Sequence, residues 1–330
     1  MLAWLIFILS ASISYLNTLS LTLKILGSNA AVPAHKRNQT AQFLGIMHHS
    51  FLIDCGEATQ LQMKKYKIKV NRVNHIFISH LHGDHYYGLM GLISSMHLFG
   101  RKKELYIYGP PGLMEIITLQ LKYSETCLNY RIVFKEWMPG ISETLIDNEH
   151  LTVSTIPLNH RVNCSGFLFR EKPKKRRINK NRLPKSLTPL QIIALKNGDD
   201  ITDAEGNLLY LNADVTYEPH PSFSYAYCSD TKYDESIITY IKGVDILYHE
   251  ATFMDDMRDR AAKTYHTTTI QAAEIALKAQ VEKLIIGHFS TRYKELNPLL
   301  TESRKVFKNT DLAIEGKSFE LVDHEAKMAY

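Results

Sequence analysis

The chain has 330 residues, of which 45% are hydrophobic and 22% are charged, and its formal net charge is +5. This composition excludes disordered and fibrous proteins and is sufficient for one large domain or two small ones. The mild positive charge permits a polyanionic partner without requiring one. The four cysteines lie far apart with no Cys-x-x-Cys pair, so neither a thiolate zinc site nor a redox motif is indicated.

The chain begins with an apolar stretch, because residues 1–16 carry no charge. This stretch resembles the core of a signal peptide, but it lacks a basic N-terminal region and is shorter than the roughly 20 residues of a membrane-spanning helix. We interpret residues 1–20 as an extension outside the fold. The expected location is then the cytoplasm, with no membrane partner. A secretory signal peptide is the alternative interpretation.

From Leu21 onward, short apolar runs alternate with helical patterns. Nine runs rich in β-branched and aromatic residues predict strands, from LTLKIL at residue 21 to KLIIG at residue 283. Apolar residues three and four apart predict helices over residues 56–67, 88–98, 111–123 and 269–280. Many of the strands are apolar on both faces, so we predict an α/β fold in which helices cover the outer sides of the sheets. We expect the main domain to span residues 21–310 and a separate C-terminal segment to span residues 311–330.

The first chemical motif is HLHGDH at residues 80–85, directly after the predicted strand HIFIS. On a helix, positions i and i+2 point to different faces, so His80 and His82 would not share an ion there. In a loop with a tight turn at Gly83, they can converge with Asp84 and His85. Such nitrogen and oxygen ligands suit zinc, so the motif predicts a metal site.

Three later predicted strands each lead into a further candidate ligand: His160, Asp230 and His288. With the HLHGDH loop they make seven ligands. One tetrahedral ion needs fewer, and two ions that share a bridging carboxylate need about this number. The sequence therefore favours a hydrolase with two metal ions.

A strongly basic segment, EKPKKRRINKNRLPK at residues 171–185, contains eight Lys or Arg residues and one acidic residue. The simplest interpretation of such a charge run is a solvated loop. This one begins an insertion of about fifty residues between the strands that lead to His160 and Asp230, and insertions of that length are usually functional or disordered. We predict a basic arm at about residues 171–222.

The HLHGDH loop followed by His160, Asp230 and His288 is similar to the metallo-β-lactamase superfamily. Further motifs resemble the tRNase Z family, in its order and in its short form: FLIDCGEATQ at 51–60, HEAT at 249–252, HTT at 266–268 and GHFSTRY at 287–293. The resemblance runs from about Leu21 to about Asn309. It implies a four-layer αββα sandwich and a zinc-dependent endoribonuclease. This enzyme would remove the 3′ trailer from tRNA precursors and leave a 3′-hydroxyl on the tRNA and a 5′-phosphate on the trailer.

The resemblance also implies roles for individual residues. Two Zn²⁺ ions per subunit would be held by His80, His82 and His160 on one side and by Asp84, His85 and His288 on the other, with Asp230 as the bridge and Asp54 orienting the ligands. Asp84 would accept a proton from the attacking water. Glu250 would keep His266 protonated and directed at the leaving 3′-oxygen.

In the tRNase Z family, the basic arm binds tRNA and generally serves the site of the other subunit. The resemblance therefore implies a homodimer with precursor tRNA as partner, and it places Lys174, Lys175, Arg176 and Arg177 in the arm. Two positions depart from the family pattern. The Gly-Pro-rich motif of the arm is not evident, since LTPLQIIALKNG stands in its place, and Ala58 stands where the first motif usually has glycine.

Two other functions are compatible with parts of the sequence. A phosphodiesterase of the same fold that acts on small phosphate esters would explain the ligands, with residues 1–16 as a signal peptide, but the basic arm argues against it. An RNA-binding protein that has lost catalysis would explain the arm. The complete ligand set, together with Glu250 and His266, argues against that function.

Overall fold

A computed structural model of the chain describes residues 20–183 and 187–323. The predicted N-terminal extension lies outside the described residues except for Ser20, as do residues 324–330 of the predicted C-terminal segment. The chain divides into two compact units. We call Ser20–Arg170 with Phe223–Leu321 the body, and we call Glu171–Ser222, which groups with the segment that starts at Val322, the arm.

The described residues form eighteen strands. In chain order these are β1 (Ser20–Gly27), β2 (Ala41–Ile46), β3 (His49–Cys55), β4 (His75–Phe77), β5 (Leu105–Gly109), β6 (Ile132–Glu136), β7 (Thr144–Asp147), β8 (Leu151–Pro157), β9 (Ser165–Glu171), β10 (Arg177–Ile178), β11 (Ile201–Thr202), β12 (Leu208–Tyr210), β13 (Thr216–Tyr217), β14 (Ser224–Cys228), β15 (Ile246–Glu250), β16 (Lys283–Gly287), β17 (Thr310–Leu312) and β18 (Ser318–Val322).

The helices of the described residues are short. In chain order these are α1 (Thr59–Lys65), α2 (Gly83–Tyr86), α3 (Leu89–Leu98), α4 (Leu113–Tyr123), α5 (Pro189–Asn197), α6 (Asn212–Val215), α7 (Ile238–Ile241), α8 (Arg258–Thr264), α9 (Thr269–Lys278) and α10 (Asn297–Arg304), with 3₁₀ turns at Val70–Arg72, Glu235–Ile237 and Asp255–Met257. Within the part of the chain that the structure describes, no helix has the length and apolarity needed to cross a membrane.

Two seven-stranded sheets build the body, with strand orders β18-β1-β2-β3-β4-β5-β6 and β17-β16-β15-β14-β9-β8-β7. Strands β3 to β6 run parallel in the first sheet, and β14 to β17 run parallel in the second. The carboxyl ends of parallel neighbours meet at one edge of a sheet, so residues that follow these strands are brought close together. The edge strand β18 comes from residues assigned above to the C-terminal segment.

Apolar side chains pack in three layers of the body. One cluster combines side chains of both sheets, and in it the Phe77 and Tyr108 rings stack at a centroid distance of 4.4 Å beside Phe167 and Phe169. A second packs α3 and α4 on the first sheet, and a third packs α9 and α10 on the second. This arrangement confirms the predicted α/β fold with four αββα layers.

The four predicted helices are present but mostly shorter than their sequence patterns. Helix α1 starts at Thr59 rather than at residue 56, because Ala58 before it adopts φ +66°. L residues rarely adopt this left-handed conformation, and glycine adopts it without strain. Ala58 therefore stands at a position where the backbone conformation favours glycine, the residue that the related motif usually has there. All nine predicted strands are confirmed. Strands such as β7, whose four residues TLID include one buried side chain, lack a strong apolar pattern and were not predicted.

The arm has its own small core, formed by Leu195, Ile201 and Val215. Two short antiparallel pairs, β10 with β13 and β11 with β12, accompany it. The segment LTPLQIIALKNG forms α5: the Thr188 hydroxyl accepts from the Gln191 main-chain N–H, and Gly198 ends the helix at φ +104°. Because caps at both ends satisfy helix groups that would otherwise lack partners, this sequence folds as a helix without a Gly-Pro-rich motif.

Candidate metal centre

The predicted ligands come from loops that follow strands of both body sheets. His80 follows β4, and His82, Asp84 and His85 lie in or next to the short helix α2. From the second sheet, the ligand residues are His160 after β8, Asp230 after β14 and His288 after β16. The structure brings all seven residues together in the body.

His80, His82, His160 and Asp230 form the first ligand group, with one ligand atom of each within 4.8 Å of the others. The His82 Nδ1 atom lies 3.0 Å from His80 Nε2 and 3.2 Å from His160 Nε2. Asp230 Oδ2 lies 3.7 Å from His80 Nε2 and 3.9 Å from His160 Nε2. Three imidazole nitrogens and one carboxylate oxygen around one point match the donor set of a tetrahedral metal ion.

The second ligand group contains Asp84, His85 and His288. Asp84 Oδ2 lies 3.5 Å from both His85 Nε2 and His288 Nε2. The other oxygen of Asp230, Oδ1, lies 3.3 Å and 3.2 Å from the same two nitrogens. Each oxygen of the Asp230 carboxylate therefore faces a different group, as a bridging ligand would.

Hydrogen bonds hold the rings of His85, His288 and His160 in this centre. Asp54, predicted to orient ligands, lies 2.7 Å from His85 Nδ1. His288 Nδ1 lies 2.9 Å from the Thr252 hydroxyl, and the Tyr265 carbonyl lies 3.0 Å from His160 Nδ1. A proton on each of these Nδ1 atoms leaves Nε2 unprotonated and directed into its ligand group, which is the tautomer that a metal requires.

Several supporting residues have no motif and were missed by the sequence analysis. The Ser79 hydroxyl lies 2.8 Å from Asp54 Oδ2 and 3.0 Å from His80 Nδ1, so it contacts a ligand of the first group and the carboxylate that supports the second. The Tyr227 hydroxyl donates to Asp54 Oδ2 at 2.6 Å. The main-chain N–H of Ala31 donates to Asp84 Oδ2 at 2.8 Å. These contacts depend on the tertiary structure, and of the three residues only Ser79, a polar residue at the end of the run HIFIS, has a sequence signal.

Glu250 and His266 form a buried pair beside the ligands. The Glu250 Oε1 atom lies 2.8 Å from His266 Nδ1, and Glu250 also accepts the main-chain N–H groups of Thr231 and Thr252. Burial opposes a charge on His266, but the Glu250 carboxylate outweighs it and raises the His266 pKa to about 9. Burial likewise opposes ionisation of Glu250, yet His266 lowers the Glu250 pKa. The pair therefore keeps His266 in its positively charged, doubly protonated form at neutral pH.

The centre also carries strained backbone. Asp54 and His288 both have left-handed backbone conformations, with φ +54° and +58°. Non-glycine residues adopt this conformation at a cost of roughly 1–2 kcal/mol, and such residues persist where the surrounding structure fixes them. Packing of the two sheets therefore supports the positions of both side chains.

The electrostatic environment favours a cation. Burial opposes a charge on His85, but the carboxylates of Asp230, Asp84 and Asp54 together raise the His85 pKa well above its ordinary value. Negative charge is thus concentrated where histidine nitrogens converge, which is the arrangement a divalent metal neutralises. The residues present fit a metal centre by donor type, by spacing and by charge.

The ligand groups open into a cavity of about 370 Å³. Its walls combine polar residues of the centre with a few others: Ala30, Ala31, Gln39, His82, Gly83, Asp84, Tyr87, Asp230, His266 and His288. His266 and Asp84 therefore border the same space as the ligands. This arrangement can hold an anionic group between a bound metal and a protonated imidazole.

Two sheets packed face to face, with a histidine and aspartate centre at their strand ends, define a metallo-β-lactamase-fold hydrolase. The metallo-β-lactamase-fold protein YhfI from Bacillus subtilis superimposes with a TM-score of 0.64 at 17% identity, covering 92% of this chain and 99% of YhfI. A family model described as anti-Pycsar protein Apyc1 matches residues 21–132, which is less than half of the chain.

Sequence relatives specify the family. Ribonuclease Z of Cytophaga hutchinsonii is 51% identical over 91% of this chain and 96% of its own length. The short form of human tRNase Z superimposes with a TM-score of 0.67 at 25% identity, covering 90% of this chain and 98% of the human chain. The chain belongs to the ribonuclease Z family, which confirms the predicted family and a nuclease activity. Membership also implies a divalent metal.

Proposed function

We propose that this chain removes the 3′ trailer from precursor tRNA by hydrolysis at a centre that holds two Zn²⁺ ions. The observation that carries the proposal is the shared carboxylate of Asp230, which faces two ligand groups beside the Glu250–His266 pair. Membership of the ribonuclease Z family supports the reaction. The products would be a tRNA with a 3′-hydroxyl and a trailer with a 5′-phosphate.

His80, His82 and His160 would hold one ion, Asp84, His85 and His288 would hold the other, and Asp230 would bridge them. Nitrogen-rich ligand sets of this kind favour zinc over magnesium or calcium. When bound, such a pair of ions lowers the pKa of water to near neutrality and neutralises charge on the phosphoryl oxygens. Asp54 would orient His85 through the 2.7 Å contact with its Nδ1 atom.

Asp84 and His266 would move the protons. Asp84 borders the cavity and is held by the Ala31 N–H, so its carboxylate can accept a proton from the attacking water. The Glu250 carboxylate occupies His266 Nδ1, which leaves His266 Nε2 as the protonated donor. A donor at that atom can pass its proton to the leaving 3′-oxygen of the tRNA.

The arm would bind tRNA through its positive charge, with affinity that falls as salt rises. Three of the four predicted residues also stabilise the arm itself. Lys174 pairs with Glu171 at 2.6 Å, Arg176 pairs with Glu218 at 2.7 Å, and Arg177 donates to the Glu218 carbonyl at 2.9 Å. Lys175 is exposed. Substitution of the first three would therefore disturb the fold of the arm as well as its charge.

The decisive experiment is cleavage of a tRNA precursor with a 3′ trailer by zinc-loaded protein, with both product ends mapped. We expect one cut beside the discriminator nucleotide, two zinc ions per chain by elemental analysis, and loss of at least about 10³-fold in rate in Asp84→Ala with tRNA binding retained. Hydrolysis of small phosphodiesters without any cut in the precursor would instead support the small-ester phosphodiesterase.

We also propose a homodimer in the cytoplasm. The resemblance to a family whose arm serves the neighbouring subunit supports the dimer, and free thiols at all four cysteines suit a reducing compartment. The dimer is tested by mixing Asp84→Ala protein with a variant that lacks the charges of the arm. In a mixed dimer, one site combines the intact centre of one subunit with the intact arm of the other. Recovered cleavage is expected, whereas a monomer by light scattering with no recovery would exclude this arrangement. Cell fractionation tests the location.

A further inference from the structure

Apart from the histidines, Tyr87 is the one aromatic residue that lines the cavity of the metal centre among the described residues. Tyr87 is the second residue after the HLHGDH motif, so it lies only a few residues from the ligands His82, Asp84 and His85. Its neighbour Tyr86 packs against the apolar cluster of α3 and α4. Tyr87 does not, and it is 67% exposed.

The ring of Tyr87 is fixed despite this exposure. It lies against the main chain of Gly83, where an added Cβ would come within 2.1 Å of the ring. The rings of Tyr86 and Tyr87 meet edge to face at a centroid distance of 5.0 Å. Two neighbours therefore hold the ring at the cavity while much of its surface stays open to solvent.

Apart from these two contacts, the Tyr87 side chain gains little from the fold. Of the hydrogen bonds found in residues 20–183 and 187–323, none involves the Tyr87 hydroxyl, and the ring buries little apolar area compared with a core tyrosine. A large, exposed ring that two neighbours position at the mouth of a polar cavity is a surface suited to a flat ligand. The metal centre accounts for binding of the phosphate, so the Tyr87 ring is available to bind the group that is attached to that phosphate.

We propose that the Tyr87 ring is a stacking platform for a nucleobase next to the scissile phosphate. The inference rests on the proposed function, since it takes single-stranded RNA as the substrate at this cavity. Unpaired bases stack readily on aromatic side chains, and every base offers a flat face, so such a contact positions the chain without demanding one sequence. The platform would place the phosphate by its neighbouring base, and the ligands would act on the phosphate itself.

Three variants test the platform. Tyr87→Leu removes the ring and keeps an apolar side chain, and Tyr87→Phe keeps the ring and removes the hydroxyl. Tyr123→Leu is the matched control, because Tyr123 is a 78% exposed tyrosine of the body that does not line the cavity. Substrates are the intact precursor and two precursors with an abasic ribose, one on the 5′ side and one on the 3′ side of the scissile phosphate.

We expect Tyr87→Leu to lower kcat/KM on the intact precursor by about tenfold to a hundredfold, while Tyr87→Phe and Tyr123→Leu stay within about twofold of wild type. Removal of the stacked base should lower the kcat/KM of the wild-type enzyme by a similar factor and should not lower that of Tyr87→Leu any further. The abasic precursor that behaves in this way identifies the stacked base. If the ratio of Tyr87→Leu to wild type is the same on all three precursors, the platform assignment is wrong.

A binding measurement separates this inference from the cleavage reaction. The precursor carries 2-aminopurine on either side of the scissile phosphate, and its fluorescence is recorded with metal-free protein. Quenching by wild type and Tyr87→Phe but not by Tyr87→Leu supports the platform, even if the wild-type protein cut no precursor and the proposed function failed. Equal quenching by Tyr87→Leu at both positions would overturn it. Thermal unfolding and zinc content of the variants should match the wild type.

Discussion

The body and the arm differ in how much buried structure surrounds their polar side chains. The body packs three apolar clusters around two sheets and uses their strand ends to hold charged side chains in a buried centre. The arm has three buried apolar residues in its core and two short strand pairs, and its basic residues pair with acidic side chains and carbonyls of the arm itself. Metal chemistry needs ligand positions fixed to a fraction of an ångström, whereas binding of a polyanion, the role proposed for the arm, needs mainly charge.

The difference shows in what surrounds each polar group. Asp54 in the body is fully buried and accepts from Ser79, His85 and Tyr227. Lys175 in the arm is exposed. A buried carboxylate must have its partners because desolvation of an unpaired charge is expensive, whereas an exposed lysine needs none. Substitutions in the body should therefore have larger effects than substitutions of the same size in the arm.

The largest expected difference concerns core packing. Phe77→Ala in the body should lower the free energy of unfolding by about 3–5 kcal/mol, because it removes a fully buried ring stacked on Tyr108. Leu195→Ala in the arm should instead increase hydrogen exchange within residues 171–222. Ile193→Ala, at a half-exposed position of the same helix, is the control and should change little. If Leu195→Ala lowered protection of β4 as much as Phe77→Ala does, the two regions would unfold as one unit.

A second prediction concerns the support of the ligands. Tyr227→Phe removes the hydroxyl that donates to Asp54, so zinc affinity measured by chelator competition should fall by about tenfold to a hundredfold. Tyr225→Phe is the matched control. Tyr225 is an equally buried tyrosine of the same strand, and its hydroxyl donates to Gln42 rather than to Asp54. Equal zinc affinities in the two variants would contradict a supporting role for the Tyr227 hydroxyl.

The third prediction uses pH. Burial, aided by the positive charges of His49, Lys135 and Arg101, lowers the His75 pKa to about 4. Between pH 6.5 and 4 the unfolded chain binds a proton at His75 and the folded chain does not, so this residue reduces stability as pH falls through that range. At pH 5 the loss is about 2 kcal/mol at most.

His75→Phe should therefore show a smaller decrease in the free energy of unfolding between pH 7.5 and pH 5 than the wild type. His150→Gln, at an exposed position of the body, should follow the wild-type curve. Denaturant titrations at several pH values provide the measurement. Parallel curves for His75→Phe and wild type would show that His75 does not titrate in this way.

The smallest effect is expected for exposed charges of the arm. Lys175→Ala with Lys180→Ala should weaken tRNA binding several-fold and reduce the slope of log affinity against log salt by about 1–2, because each lysine neutralises at most one phosphate. Thermal unfolding and cleavage at saturating tRNA should not change. Arg176→Ala should also weaken binding, and it should loosen the arm because the pair with Glu218 is lost. Binding of the double variant with an unchanged salt slope would contradict the role of the arm.

The sequence alone determined the elements whose signal is local. Apolar runs predicted the strands that carry the ligands. The HLHGDH spacing predicted a loop, because side-chain direction follows from backbone period, and this is correct for His80 and His82, whereas Asp84 and His85 lie in the helical turn Gly83–Tyr86. The motifs were sufficient to predict the family and the αββα layers. Ala58 was noticed as a departure from the motif, and the reason for the usual glycine became clear only from its φ angle.

Tertiary structure alone decided the contacts between residues distant in sequence. Nothing near Tyr227 or Thr252 in the chain indicates that their hydroxyls support Asp54 and His288. In the arm, the sequence predicted a basic insertion without specifying its fold, and the structure adds a capped helix and ion pairs that use the same basic residues. Local patterns fix backbone conformation, whereas hydrogen bonds in a buried centre depend on which strands become neighbours, and that follows from packing of the whole body.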